Sequence, residues 1–376
     1  MKFYIIAGEA SGDLHASSLI KEIKLLEKNA EFRCWGGDLM MEQGAELVKH
    51  YRDLAFMGFV EVVSNIRTIA KNISFCKKDI LEYRPDALIL IDYPGFNLRI
   101  AEFAHKNGIK VFYYISPQVW AWKSSRVEKI KKYVDKMFVI LPFEKEFYKS
   151  HGYDVEFVGH PLLDVINNFS KQDKNSFFKK NNLNEKPIIV LLPGSRKQEI
   201  TKMLSIMLAV IPEFEDYQFV VGAAPSVTHE FYEKITADTE VKILYNQTYE
   251  LLSNATAALV TSGTATLETA LFDVPEIVCY KGNFISYHIA KRIVNVKYIT
   301  LVNLIMNRMV VRELIQNELN LANLKFELNK ILLDKSNHKR ILSDYGLLKE
   351  KLGDAGASGK TAELILKNLQ TRFRSV

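Results

Sequence analysis

Short apolar runs separated by amphipathic stretches recur along this chain, and that alternation restricts the fold more than any single motif. In the first part the runs are Phe3–Ala7, Phe32–Trp35, Ala87–Ile91, Lys110–Tyr114, Met137–Ile140 and Val155–Val158. Between them Leu14–Lys28, Ile66–Tyr83, Leu98–Lys106 and Arg126–Lys132 carry helical spacing. Strands that each lead into a helix build a parallel sheet covered on both faces. A polar stretch rich in Asn and Lys follows, from Asn167 to Lys186, and the pattern then restarts with Ile188–Leu192, Gln218–Val221, Val241–Leu244, Ala257–Val260 and Glu276–Cys279. A chain of 376 residues exceeds one ordinary core. The expected organisation is α/β throughout: a doubly wound domain over 1–165, a second over 186–355, and a C-terminal helix over 356–376. After Tyr280 the pattern reads as mostly helical, and Leu364, Ile365, Leu366 and Leu369 give the last segment an apolar side that would brace the first domain.

Several function classes are excluded early. Cys34, Cys76 and Cys279 are scattered, without Cys-x-x-Cys or His/Cys spacing, so neither a disulfide framework nor a zinc site is indicated and a reducing cytoplasm is expected. The apolar run at the N-terminus is too short for a signal peptide, and none approaches the ~18–20 residues of a spanning helix. The net charge of +6 is unevenly placed, with Lys123, Arg126, Lys129, Lys131, Lys132 and Lys136 set against Glu128 and Asp135. Such a segment is either a solvated helix face or a surface that meets phosphate. No nucleic-acid-binding module accompanies it.

Ligands of open α/β sheets bind beyond the carboxyl ends of the strands, so the residues that follow each run are the candidates. The first run ends in Gly8-Glu9-Ala10-Ser11-Gly12-Asp13, where glycines permit close backbone approach and a helix start favours an anion. Ser11 or Asp13 serving only as a helix cap is the plainer reading. The run Ala87–Ile91 leads into Asp92-Tyr93-Pro94-Gly95-Phe96-Asn97. Asp92 is placed either as a general base, its pKa raised by partial burial, or as a turn or cap residue. Ser116-Pro117-Gln118-Val119-Trp120-Ala121-Trp122 puts two tryptophans in one loop, as core or as a wall for sugar or acyl groups.

In the second half, Pro193-Gly194-Ser195-Arg196 joins a strand to a helix. Gly194 and Ser195 offer backbone donors and Arg196 a forked cation, which suits a diphosphate. Ser262-Gly263-Thr264 opens another helix, with Glu268 one turn in, where a carboxylate can accept from a ribose diol. A capping box from Thr264 fails because Leu267 occupies the acid position. The chain has no Asp-x-Asp, no P-loop and no Gly-x-Ser-x-Gly elbow, so metal–diphosphate, NTPase and serine-hydrolase signatures are missing.

Taken in order, Gly-Glu-Ala-Ser-Gly-Asp-Leu-His (8–15), Ile-Asp-Tyr-Pro-Gly-Phe-Asn (91–97), Ser-Pro-Gln-Val-Trp-Ala-Trp (116–122), Leu-Pro-Phe-Glu (141–144), Val-Gly-His-Pro (158–161), Leu-Pro-Gly-Ser-Arg (192–196) and Ser-Gly-Thr-Ala-Thr-Leu-Glu (262–268) resemble the lipid-A-disaccharide synthase family over the whole chain. The resemblance implies a GT-B fold, two Rossmann-like domains around a cleft. It implies inverting, metal-independent transfer of 2,3-diacylglucosamine from UDP-2,3-diacylglucosamine to the 6-hydroxyl of 2,3-diacylglucosamine 1-phosphate, with no cofactor and no nucleic-acid partner. By motif, Asp92 would be the base, Gly194, Ser195 and Arg196 would hold the diphosphate, Glu268 the ribose, and Asn303 would belong to the donor region. Gly95 departs from the family, which often carries an acid there, so Asp92 is expected to act alone.

The family also implies a homodimer and peripheral contact with the cytoplasmic face of the inner membrane. Phe59, Val60, Val63 and Ile66 would insert, with Lys123, Arg126, Lys129 and Lys132 beside them; an ordinary buried helix is the alternative for the apolar four. Rival readings are another GT-B enzyme acting on UDP-N-acetylglucosamine, either a 2-epimerase or the peptidoglycan lipid-precursor transferase, and a two-domain periplasmic-type binding protein.

Overall fold

The computed structural model describes residues 1–53, 66–122, 125–282 and 297–373. They form two compact units, Met1–Asp164 with Leu352–Val376, and Val165–Lys351. Phe59, Val60, Val63 and Lys123 lie outside the described residues, as do the side chains of Ile66 and Trp122.

The first unit holds a seven-stranded sheet of β1 (Lys2–Ala7), β2 (Glu31–Gly36), β3 (Glu46–His50), β4 (Ala87–Ile91), β5 (Lys110–Tyr114), β6 (Lys136–Val139) and β7 (Glu156–Phe157), in the order β3-β2-β1-β4-β5-β6-β7. Every pairing is parallel. β4 is buried along its whole length, as its unbroken Ala-Leu-Ile-Leu-Ile run requires of a central parallel strand. β3 escapes the sequence reading because it is an edge strand whose Glu46, Lys49 and His50 break any apolar run; such charges protect an open edge.

The second unit repeats the architecture with β8 (Ile188–Leu192), β9 (Gln218–Ala223), β10 (Lys242–Tyr245), β11 (Ala255–Thr261), β12 (Glu276–Tyr280) and β13 (Arg312–Ile315), in the order β10-β9-β8-β11-β12-β13. All its pairings are parallel as well. The described residues after Tyr280 are mostly helical, as expected, with β13 as an addition that the sequence reading missed; its Arg312 and Glu313 disguise a four-residue edge strand. The polar stretch read as a boundary also contains a helix, Lys174–Lys180, whose buried Phe177 and Phe178 join the second core.

The C-terminal helix Ala357–Phe373 lies in the first unit and packs on helix Ala10–Leu26, burying Ala362, Ile365, Leu366 and Leu369. Its start is held by Asp164, whose carboxylate accepts the backbone N–H of Gly356 and of Ser358. Lys360 donates to the Phe157 carbonyl at 2.9 Å.

A buried polar chain locks the sheet to its helical layer. Trp35 Nε1 donates to the Tyr4 hydroxyl at 2.8 Å, and that hydroxyl donates to Asp79 on helix Ile66–Tyr83 at 2.6 Å. Arg33 grips the same carboxylate with Nε at 3.0 Å and Nη2 at 2.7 Å. Tyr4 is fully buried, so removing Asp79 strands its hydroxyl donor and takes away the Arg33 guanidinium's partner. Asp79→Ala is expected to destabilise the protein by about 1.5–3 kcal/mol or more, the range for hydrogen bonds to charged groups. Lys106→Ala, which breaks only the exposed pair with Glu102, should cost ~0.5 kcal/mol or less. Urea unfolding of the two variants measures the contrast; equal losses would show that the buried chain carries no special weight.

Candidate active site

The order of each sheet brings the singled-out loops together. In the first unit the strand order turns between β1 and β4, which pair through Ala7↔Ile91, so the loop beginning at Gly8 and the loop beginning at Asp92 leave adjacent strand ends. Contact between them is close. A Cβ on Gly8 would lie 2.4 Å from Tyr93 Cγ, so only glycine allows the ring to sit there.

Asp92 and Tyr93 both adopt left-handed backbone, φ +41° and +48°, and Ile115 on the neighbouring loop has φ +65°. This conformation is costly for a β-branched residue and persists only where its surroundings enforce it. The Asp92 N–H donates to the Ile115 carbonyl at 3.3 Å. The Asp92 carbonyl accepts from Asn97 Nδ2 at 2.8 Å and from the Tyr113 hydroxyl, and Asn97 also reaches the Ile91 carbonyl at 3.1 Å. Helix Pro94–Lys106 starts from Tyr93, whose side chain makes no cap bond, and the Tyr93 backbone N–H lies against the Asp92 carboxylate. It remains accessible to solvent among dense protein surroundings. Desolvation first, and the negative charge of Glu9 second, push the Asp92 carboxyl up to about 7. Glu9 thus brings a second negative charge to the neighbourhood of Asp92 from a different loop. Gly95 is exposed, with open space where a side chain would begin.

The remaining first-loop residues divide by role. Ser11 is exposed and Gly12 buried. Asp13 does not cap its own helix, which begins from Glu9 without a side-chain cap. Its buried carboxylate accepts the N–H groups of Gly37 (2.8 Å), Leu39 (3.1 Å) and Met40 (3.2 Å) and so holds the start of helix Asp38–Glu42. Trp120 packs edge-on against Phe143 at 5.0 Å. Behind it, buried Glu144 accepts the Leu141 N–H at 2.9 Å and lies beside Ser116 and the Trp120 indole; burial pushes its carboxyl up to about 7. The Leu-Pro-Phe-Glu motif contains this carboxyl, but it has no readable role in sequence because a glutamate at a helix start reads as solvent-facing.

The basic segment is less uniform than its sequence implies. Lys129 and Lys132 are exposed, whereas Lys131 donates to the His151 carbonyl at 2.9 Å and Lys136 pairs with Glu156. Arg126 is half-buried at the start of helix Arg126–Tyr133.

In the second unit the order turns between β8 and β11, paired through Leu192↔Val260, and their loops are again neighbours. Gly194 has φ +112°, and a Cβ there would come within 3.0 Å of Glu199 Oε2 and 3.5 Å of Thr261 Cγ2. Arg196 is the residue before helix Lys197–Leu208 and lies 3.4 Å from Glu199, an exposed pairing that leaves the guanidinium close to the turn. The Ser195 carbonyl accepts from Ser226 at 2.9 Å. Helix Thr264–Leu271 starts from Gly263 without a side-chain cap, and Ser262 Oγ donates to the Ile299 carbonyl at 3.0 Å. Half-buried Glu268 accepts from the Tyr249 hydroxyl through one oxygen, at 2.7 Å, leaving acceptor capacity on the other; burial raises its pKa. Tyr249, which lies in a ring cluster with Phe169 and Phe272, carried no sequence signal.

Asn303 corrects an expectation. It is fully buried, donates to the Val311 carbonyl and to Glu313 at 2.9 Å each, and accepts the N–H groups of Val310 (2.7 Å) and Val311 (3.1 Å). No hydrogen-bonding capacity is left for a ligand, so it positions the segment around β13 instead. Among the described residues no group of three or more His, Cys, Asp or Glu could hold a metal ion. No helix among them is long and apolar enough to cross a membrane.

Comparison with known proteins agrees with this geometry. A sequence model described as lipid-A-disaccharide synthetase matches residues 3–364. The lipid-A-disaccharide synthase of Syntrophus aciditrophicus is 40% identical over 96% of this chain and 96% of that protein. That of Geobacter sulfurreducens is 36% identical over 98% and 97%. Among solved structures, UDP-GlcNAc 2-epimerase from Neisseria meningitidis, bound to UDP-GlcNAc, superposes with TM-score 0.66 over 98% of this chain and 100% of its own. At 13% identity that likeness speaks for the GT-B fold alone and does not favour the epimerase reading. The ordered motifs, the paired parallel sheets and the full-length relatives agree: the chain belongs to the lipid-A-disaccharide synthetase family, glycosyltransferases of GT-B fold.

Proposed function

We propose that the chain transfers 2,3-diacylglucosamine from UDP-2,3-diacylglucosamine to the 6-hydroxyl of 2,3-diacylglucosamine 1-phosphate, giving the β-1,6 disaccharide 1-phosphate and UDP. The observation that carries this reading is Asp92: an accessible carboxylate, fixed by strained backbone at a strand end, whose pKa of about 7 suits a general base. Asp92 takes the proton of the 6-hydroxyl as its oxygen attacks the anomeric carbon. The bond to the UDP oxygen breaks on the opposite face, inverting that centre. Negative charge grows on the departing diphosphate, and Arg196 with the N–H groups of the Gly194–Ser195 turn is suited to receive it without a metal or other cofactor. Glu268 is suited to accept from the ribose diol.

Both substrates carry two acyl chains, each buried methylene adding ~0.8 kcal/mol of membrane affinity, so the reading includes peripheral work at the inner membrane's cytoplasmic face. Homodimer formation remains part of the same proposal.

Asp92→Asn is expected to reduce turnover by ~10²–10⁴, the contribution of a positioned base, while UDP binding and folding persist. UDP release with both acylated substrates, beside UDP titration, measures this; activity within about tenfold of wild type would remove Asp92 from the base role.

The acidic limb of kcat/KM should follow the Asp92 carboxyl, with activity lost as pH falls through about 7. Glu9→Gln removes a like charge and should shift that limb to lower pH; an unmoved limb would separate Glu9 from the base. Linkage gives the sign for stability. A raised carboxyl pKa contributes stability fully below the ordinary 3.8 and loses it as pH rises through about 7, so Asp92→Asn should gain relative stability on the alkaline side.

Arg196→Ala should weaken UDP binding, and Arg196→Lys should recover only part, because an ammonium cannot fork. Calorimetric titration with UDP tests this, and unchanged affinity in the alanine variant would move the diphosphate elsewhere.

A further inference from the structure

The carboxylate read above as the ribose acceptor is itself held by a side chain to which the transfer chemistry gives no part. Glu268 lies one turn into helix Thr264–Leu271, and the N–H of Phe272, four residues on, donates to the Glu268 carbonyl at 3.1 Å. Residues four apart share one face of a helix. Tyr249 engages both: its ring rests on Phe272 with centroids 5.3 Å apart, and its hydroxyl donates to Glu268 Oε1 at 2.7 Å. Phe169 completes the cluster, edge-on to Tyr249 at 5.9 Å and to Phe272 at 5.6 Å.

Tyr249 has firm support on its own side. It belongs to helix Thr248–Leu252, whose Leu251 and Leu252 are buried in the second core. Gln247, just before that helix, exchanges amide hydrogen bonds with Asn181: Asn181 Nδ2 donates to Gln247 Oε1 at 3.2 Å, and Gln247 Nε2 donates to Asn181 Oδ1 at 3.1 Å. A glutamate without such a neighbour samples several rotamers, and ordering it costs conformational entropy when a ligand arrives. One charge-assisted bond from a phenol caged by two rings meets that cost in advance, and it occupies only one carboxylate oxygen. Among the described residues no other group bonds this carboxylate. Burial raises the Glu268 pKa and the Tyr249 bond opposes the rise, so the same hydroxyl favours the ionised acceptor.

We propose that Tyr249 is a positioning residue, which aims the second oxygen of Glu268 at a ribose hydroxyl and so makes the donor site prefer a ribonucleotide to a deoxyribonucleotide. The inference rests on the reading of Glu268 as the ribose acceptor, and its test separates the two.

Calorimetric titration with UDP, 2′-deoxy-UDP and 3′-deoxy-UDP would be run on wild type, Tyr249→Phe, Glu268→Gln and the double variant. Wild type should bind UDP about tenfold or more tightly than at least one deoxy analogue, the scale of a lost hydrogen bond to a charged group. Tyr249→Phe keeps its ring in the cluster; it should lose about three- to tenfold of UDP affinity and little for that analogue, so the preference shrinks. Glu268→Gln should abolish the preference, and adding Tyr249→Phe to it should change little more, because the two side chains act as one unit. In turnover the donor KM should rise in Tyr249→Phe while kcat stays within about twofold, as for a contact made equally in ground and transition states. Full wild-type preference in Tyr249→Phe, with the preference gone in Glu268→Gln, would overturn the assignment and leave the ribose reading standing. Equal losses for all three nucleotides in Tyr249→Phe would also overturn it, since a merely structural role lowers every affinity alike. Preference that survives in Glu268→Gln would remove Glu268 from the ribose, and this inference with it.

Discussion

Parallel pairing of β1 with β4, and of β8 with β11, is the constraint on which the rest depends. A parallel sheet sends all its strand ends to one edge, and where the strand order turns, the loops of two neighbouring strands diverge to opposite faces and leave room between them. Both units place their unusual residues at that point: Gly8, Glu9 and Asp92 in the first, Gly194, Arg196 and Ser262–Glu268 in the second. The chemistry is inherited from topology, since residues far apart in the chain become neighbours only because their strands are adjacent.

Polar side chains around these loops are spent in two ways. Asp13, Asn97 and Asn303 satisfy backbone groups and fix loop geometry. Asp92 and Arg196 stay exposed to solvent, and Glu268 is half-buried with one oxygen on the Tyr249 hydroxyl. The distinction follows from burial: an inward-turned amide or carboxylate must pair with the backbone or lose the free energy of desolvation, and once paired it has nothing to offer a ligand. Glu276 departs from the rule. It is fully buried on β12 with neither carboxylate oxygen hydrogen-bonded, and burial together with Glu313 raises its pKa well above the usual range.

The active-site aspartate shows how local strain and long-range charge cooperate. Left-handed backbone at Asp92, Tyr93 and Ile115 is maintained by hydrogen bonds from Asn97 and Tyr113 and by the Tyr93 ring over Gly8. Those constraints aim the carboxylate while leaving it accessible, and Glu9 supplies a like charge from a different strand end. A nearby acid thus accompanies Asp92 even though Gly95, in its own loop, carries none.

Sequence alone determined the repeated α/β architecture, because a central parallel strand must be apolar on both faces, and runs such as Ala87–Ile91 and Ile188–Leu192 announce it. It also determined which loops to examine, since glycine beside a helix start is a local signal. Edge strands β3 and β13 stayed hidden because charge is tolerated, even useful, where one side lacks a partner. Only the tertiary structure decided which motif residues face a ligand and which face the protein. Asp13 and Asn303 look in sequence as reactive as Asp92, and they differ only in what the fold packs against them. The Glu9–Asp92 repulsion likewise needed the fold, because electrostatic coupling depends on distance in space, which strand order sets.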